Sequence, residues 1–271
     1  MPFATRILGS QKGPFGELWF PFREVPPAPR TRSARIALVS VGALVAVFTG
    51  FYAAYLFALH DAYLTHSEDM GIMMQALWNT THGAPLHQTV CNIVSDTNCL
   101  GDVSRLAIHF EPIMFPLALI YGVFPSAKTL QLLQAVIVAV GAFPAYWIAS
   151  RRLGNQFIGV IFALLYLLHA SLDSAVTFDF HPVTLAAPAL MFALYFLLTR
   201  NDLGLYISCL LAMSTKEEVA LSVVLIGLCA LVFQRRWRVG AGLLVMALLW
   251  IALGVLVMHA VSPAGISPTI V

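Results

Sequence analysis

The sequence predicts an all-α, polytopic integral membrane helical bundle of about seven transmembrane helices, with a long outer loop that holds interfacial helices. Three observations predict it. Of the 271 residues, 59% are hydrophobic and 10% charged, against about 25% charged in soluble domains, and the mean hydropathy is +0.84. Apolar runs of spanning length recur along the chain, and basic residues collect in alternate loops. This composition excludes a disordered chain, a collagen-like fibre and a small disulfide scaffold, and it disfavours a water-soluble enzyme. A net charge of +2 makes no footprint for nucleic acid.

Residues 1–35 contain six of the fifteen prolines and six basic residues. They read as a flexible basic cytoplasmic arm that can rest on anionic lipid. Residues 36–271 form the transmembrane domain. A span needs about 20 mostly apolar residues, which Ile36–Leu59, Leu130–Ala149, Pro182–Thr199 and Val239–Met258 supply. Gln156–Leu172 is shorter but still apolar. Leu203–Phe233 is too long for one helix and is broken by Thr215-Lys216-Glu217-Glu218, so it reads as a hairpin of two short spans, 203–214 and 219–233. The 13 residues Pro112–Phe124 make a helix of only about 20 Å, short of the hydrocarbon core of about 30 Å. They are expected to dip into the outer leaflet, within one outer loop covering 60–129.

Orientation follows from the basic residues near span ends. With the N-terminus inside, twelve of the fifteen basic residues fall inside, and only Arg105, Lys128 and Lys216 fall outside. The protein is therefore expected in the cell (inner) membrane, with its functional face exoplasmic or periplasmic. All eight histidines and ten of the thirteen acids then lie at the outer face. Only Glu17, Glu24 and Asp202 lie inside. In the outer loop, a disulfide between Cys91 and Cys99 is open in an oxidising compartment. Cys209 and Cys229 read as packing residues within spans. The chain stops soon after its last span without a charged tail, which suggests a C-terminal truncation.

Four polar clusters mark that face. Thr65-His66-Ser67-Glu68-Asp69-Met70-Gly71 opens an amphipathic interfacial helix. Thr65 and Glu68 have capping-box spacing, which leaves Asp69 as the acid without a capping role. His109-Phe110-Glu111-Pro112 opens the outer-leaflet helix, where an acid beside the first-turn proline also suits the helix dipole. Asp173 and Phe178-Asp179-Phe180-His181-Pro182 lie before the fourth span. Asp179 and His181 are ligand types for a divalent metal such as Mn, Mg or Zn, although no ligand spacing marks a site. Lys216-Glu217-Glu218 forms the tip of the short hairpin, where buried ionisable groups would be functional and an ordinary charged turn is the competing reading. Gln131 and Gln134 are expected to hydrogen-bond between helices.

These motifs in this order, together with Gln75-Ala76-Leu77-Trp78-Asn79 and His82-Gly83, resemble an uncharacterised family of prokaryotic predicted membrane proteins, domain-of-unknown-function family twenty seventy-nine. The resemblance runs from about Phe51 to the C-terminus. That family is in turn similar to polytopic glycosyltransferases of the GT-C class. This second resemblance implies sugar transfer from a polyprenyl-phosphate donor to an acceptor on the outer face. Asp69, with Glu68 and Glu111, would be catalytic, and His109, Lys216, Glu217 and His181 would bind substrate. Two other classes stay open: a transporter or metal-ion permease, and a non-catalytic membrane assembly protein.

Overall fold

The computed structural model describes residues 25, 31–65, 67–89 and 103–262. Cys91, Cys99, His66, nearly all of the basic arm and the last nine residues lie outside the described residues. Helix α1 (Arg32–Asp61) is capped by the Thr31 hydroxyl, which accepts the Ala34 N–H. Helix α2 (Ser67–Thr81) follows. Gly83, at φ +87°, turns the chain out of it, a conformation that glycine adopts at little steric cost. A two-residue antiparallel ladder pairs β1 (His87–Gln88) with β2 (Val103–Ser104). Helix α3 (Met114–Val123) is the short apolar helix expected near residue 112.

Helices α4 (Ala127–Val140) and α5 (Ala142–Leu153) meet at Gly141 and make one apolar stretch of 27 residues. A Cβ on Gly141 would lie 2.1 Å from the Tyr166 hydroxyl, which donates to the Val138 carbonyl at 3.0 Å. The glycine thus lets α6 (Gln156–Leu167) come close enough to satisfy a carbonyl exposed at the junction. Beyond α6 the chain bends by 46° into α7 (Ala170–Thr177). The single run expected over 156–172 is therefore a broken one, because the His169 side chain caps α7 by accepting the Ser171 N–H.

Pro182 then starts a 3₁₀ turn (Pro182–Leu185) that leads into α8 (Ala186–Thr199). Helices α9 (Asp202–Met213) and α10 (Ala220–Val232) flank a 3₁₀ turn at Glu217–Val219, and α11 (Trp237–Val261) is the last helix. The charged tip sits where the sequence placed it. Its arms pack outward, however: α9 lies chiefly on α8, and α10 on α11. The α10–α11 contact is close because Gly227 and Gly240 face one another, so that a Cβ on Gly240 would lie 2.8 Å from the Gly227 carbonyl. Small residues let helix backbones approach in this way.

Among the described residues, four helical stretches are long and apolar enough to cross a membrane: Arg32–Asp61, Ala127–Leu153, Pro182–Thr199 and Trp237–Val261. The bent pair α6–α7 makes a fifth. At 12 and 13 residues, α9 and α10 are each only about 20 Å long. The protein is an all-α membrane protein, with four to five helices of spanning length among the described residues.

Among the described residues four apolar clusters hold the bundle, the smallest around Ala186, Ala212 and Val219. Met73, Leu77, Met114, Leu130 and Phe180 join α2, α3 and α4 to the segment before α8. Val41, Val138, Tyr146 and Ala163 join α1 to α4–α6. Leu197, Leu205, Met213 and Leu243 join α8 to α9 and α11. At one end of the bundle Lys128 pairs with Asp61 at 2.7 Å. At the other, Arg151 lies over the Tyr195 ring and Arg236 pairs with Asp202. There the Val25 N–H also donates to the Leu198 carbonyl at 3.1 Å, so the arm touches α8 at this point.

Candidate functional site

The polar motifs converge at the Asp61–Lys128 end, around the core made by α2, α3, Leu130 and Phe180. They form two groups with different chemistry.

The first is built on Asp69 and His181. Helix α2 begins at Ser67, so Glu68 and Asp69 fall in its first turn, where the positive end of the dipole suits an acid. The expected capping box is not drawn by Thr65, whose hydroxyl instead lies 3.3 Å from His60 Nδ1. Glu68 is exposed. Asp69 Oδ1 lies 3.8 Å from His181 Nε2, too far for a direct hydrogen bond. The imidazole is held from three sides. Its Nδ1 is 2.9 Å from the Asp179 carbonyl, its ring lies 5.2 Å from that of Phe178, and the His181 N–H donates to Gln134 Oε1 at 3.1 Å. A carbonyl only accepts, so Nδ1 carries a proton in this contact, and Nε2 is the ring nitrogen that faces Asp69.

Gln134 is the organiser of this segment. Buried in α4, it also donates from Nε2 toward the carbonyls of Ala175, Val176 and Phe178 at 3.2–3.4 Å. One amide therefore fixes the backbone on both sides of Asp179, which is itself buried. Beside His181 an open groove of about 620 Å³ is lined by Ser171, Ser174, Phe178 and Thr184. Hydroxyls and an aromatic ring line this groove next to a carboxylate and an oriented imidazole.

The second group ties the chain before α3 to the tip between α9 and α10. Glu111 is buried and bidentate to Arg105, with Nε–Oε2 at 2.5 Å and Nη2–Oε1 at 3.2 Å. Arg105 is buried too, although its place in an outer loop reads as an exposed charge. It was missed as a partner. The signal available was a lone cation six residues before an acid in an apolar context. Glu217 accepts from the Phe110 N–H at 2.8 Å and lies 3.1 Å from His109 Nδ1. Burial pushes its carboxyl up, but hydrogen bonds from His109 and from the Phe110 and Glu217 backbone N–H groups outweigh that, so Glu217 sits below its ordinary value.

Three further contacts lock this group: Ile113 N–H to the Ser214 carbonyl at 2.9 Å, Trp250 Nε1 to the Met213 carbonyl at 3.1 Å, and Phe110 against Trp250 at 5.2 Å. Lys216 is paired with Glu218 at 3.1 Å. A third polar contact, from the Tyr52 hydroxyl to Asp173, joins α1 to α7.

Asp69 and His181 are thus brought together, as are His109 and Glu217. Glu111 and Lys216 each face a charged partner of their own. Among the described residues, no three His, Cys, Asp or Glu side chains converge to hold a metal ion. His181 Nε2 with one neighbouring carboxylate is a donor set that a divalent ion could share with water or substrate oxygens.

No curated protein and no solved structure matches the chain. Residues 60–268 match the family described as Predicted membrane protein (DUF2079). That span covers all of the motifs after α1, from the Asp69 segment to the Lys216-Glu217-Glu218 tip, and the chain belongs to this family.

Proposed function

We propose that the protein is a membrane glycosyltransferase that moves a sugar from a polyprenyl-phosphate donor to an acceptor hydroxyl at the outer face. The observation that carries this reading is the meeting of Asp69 and His181, 112 positions apart, beside an open groove lined by hydroxyls and an aromatic ring. Sugars are held by such surfaces, and a carboxylate at hydrogen-bond reach of an acceptor can take its proton.

In this reading Asp69 is the general base, with Glu68 beside it at the helix start. His181 orients the acceptor hydroxyl toward Asp69 from the opposite side of the 3.8 Å gap. Glu111, paired with Arg105, keeps the segment before α3 in place, while His109, Glu217 and Lys216 form the polar wall on the α9–α10 side. A divalent ion (Mn, Mg or Zn) held by His181 with Asp179 or Asp69 would supply positive charge for the departing lipid phosphate. The reading takes seven crossings, with α9 and α10 as the short arms of a hairpin. The N-terminus is then cytoplasmic, in the cell membrane, and the polar end of the bundle faces outward.

The test is binding of a polyprenyl phosphate to the purified protein in detergent, with and without Mn or Mg. Saturable binding that weakens at least tenfold in Asp69→Asn or His181→Ala is the expected result. A folded protein that binds no such lipid overturns the reading. One observation favours a second reading, transport. The broken pair α6–α7 places Asp173, hydrogen-bonded by Tyr52, beside a bend within an apolar run, and interrupted helices with ionisable groups are where transporters hold their cargo. Uptake of a metal ion or proton by proteoliposomes, lost in Asp173→Asn, would favour transport.

A further inference from the structure

The Glu217–His109 contact is more than a clasp between two segments. Glu217 uses both oxygens: Oε2 takes the Phe110 N–H at 2.8 Å, and Oε1 faces His109 Nδ1 at 3.1 Å. An ionised carboxylate has no proton to give, so Nδ1 carries it. The other ring nitrogen, Nε2, then keeps its lone pair in the neutral ring. The backbone that carries the ring is fixed, because the His109 N–H is bound to the Arg105 carbonyl at 2.9 Å and Phe110 packs against Trp250 and Gly254. His109 is nevertheless accessible, with 23% of its side chain exposed. Among the described residues, Nε2 has no hydrogen-bond partner.

The neighbouring charges are engaged elsewhere. Arg105 is held by Glu111, and Lys216 by Glu218. On α11 the titratable group toward this end is His259. A carboxylate behind Nδ1 that fixes the tautomer and balances a positive ring is the arrangement that makes imidazole an effective acid–base group. We infer that His109 is a proton-transfer residue of the outer-face site, acting on an O–H group through Nε2, and that Glu217 is its positioning residue. In the step, the O–H bond breaks with its electron pair left on oxygen, an Nε2–H bond forms, and the imidazolium charge faces Glu217. The assignment does not depend on which group Asp69 serves, and it can fail while the glycosyltransferase reading stands.

Glu217→Gln tests the tautomer on which this assignment rests. The amide oxygen is still able to accept the Phe110 N–H, which preserves the clasp. The amide NH₂ then faces Nδ1 and donates to it, which forces the ring proton to Nε2. The experiment is ¹⁵N NMR of the full chain, labelled at histidine, in detergent above the pH of imidazole protonation, with His109 identified by the signal lost in His109→Asn. The wild type is expected to show the Nδ1–H tautomer, Glu217→Gln the Nε2–H tautomer, and Glu218→Gln the wild-type form. Diethyl pyrocarbonate, read by mass spectrometry at His109, is the second measurement and needs no His109 variant. It attacks the unprotonated nitrogen, so labelling is expected to be fast in the wild type and several-fold slower in Glu217→Gln. An Nε2–H tautomer in the wild type, or equal labelling of the two proteins, overturns the inference.

Discussion

Two polar groups sit on the same apolar core and read alike in sequence, each as acids and histidines beside a proline that starts a helix. Their geometry is opposite. Around Arg105, Glu111 and Glu217 the polar groups meet at 2.5–3.2 Å, and two segments more than a hundred positions apart are bound together. At Asp69 and His181 the carboxylate and the imidazole stop 3.8 Å apart beside an open groove. A buried ion pair that is fully hydrogen-bonded has little left to offer a ligand, and it is dangerous to half-remove. A carboxylate and an imidazole held short of contact leave room for a third group. The first arrangement is a brace that also holds His109, and the second is the proposed binding position.

Substitutions sharpen that contrast, and the largest effect belongs to the brace. Arg105→Leu leaves Glu111 buried without its cation and should cost about 3–5 kcal/mol, read as a fall in melting temperature in detergent. The double variant Arg105→Met/Glu111→Leu should recover most of that loss. If the single variant melts like the wild type, Glu111 is not a brace. Gly141→Ala, which drives a methyl into Tyr166, should cost about 1–3 kcal/mol by overpacking.

Gln134→Leu strips several backbone groups of their partner and should cost about 1–3 kcal/mol. It should also weaken ligand binding at His181, since that segment loses its clamp. A melting loss with ligand affinity unchanged would separate the amide from the groove.

Acid should act on the brace through Glu217. Its folded value lies below the ordinary 4.5, so its contribution is complete above that value and disappears as pH falls through the lower folded one. Melting temperature followed from about pH 6 to pH 3 should fall more steeply in the wild type than in Glu217→Gln, and parallel curves would remove Glu217 from the account. Smallest of all is the effect of Asp69→Asn on stability, expected within about 0.5 kcal/mol, set against the loss of lipid binding described above. A large melting loss there would make Asp69 a structural residue as well.

Much of the fold was legible because hydropathy reports directly on which segments leave water. Pro182–Thr199 was read to the residue, and α1, α4–α5 and α11 were read within a few positions of their ends. The bend at Leu168-His169 was not legible. It depends on a histidine that caps the next helix with its side chain, and an apolar run carries no mark of that. The splay of α9 and α10 was hidden for a similar reason. Hydropathy says that a segment is apolar, whereas partner choice depends on the fit of Gly227 to Gly240 and of Gly204 to Phe196.

In the site, the motifs were legible as clusters but their internal pairing was not. Arg105 looked like a loop cation, and it is the buried partner of Glu111. Gln134 was read as a helix-to-helix contact, which its bonds to the Ala175 and Val176 carbonyls of α7 bear out, and it also binds the backbone on both sides of Asp179.

By itself the sequence determined the class of the protein, its family, the main apolar helices and the residues that carry charge, since each of these rests on composition or on order along the chain. Only the tertiary structure decided which charges neutralise one another and which are held apart. Two groups 108 or 112 positions apart meet through helices whose packing fixes distances to fractions of an ångström. The difference between 2.5 and 3.8 Å separates a closed ion pair from an opening for a ligand, because hydrogen bonds weaken steeply beyond their narrow range of length.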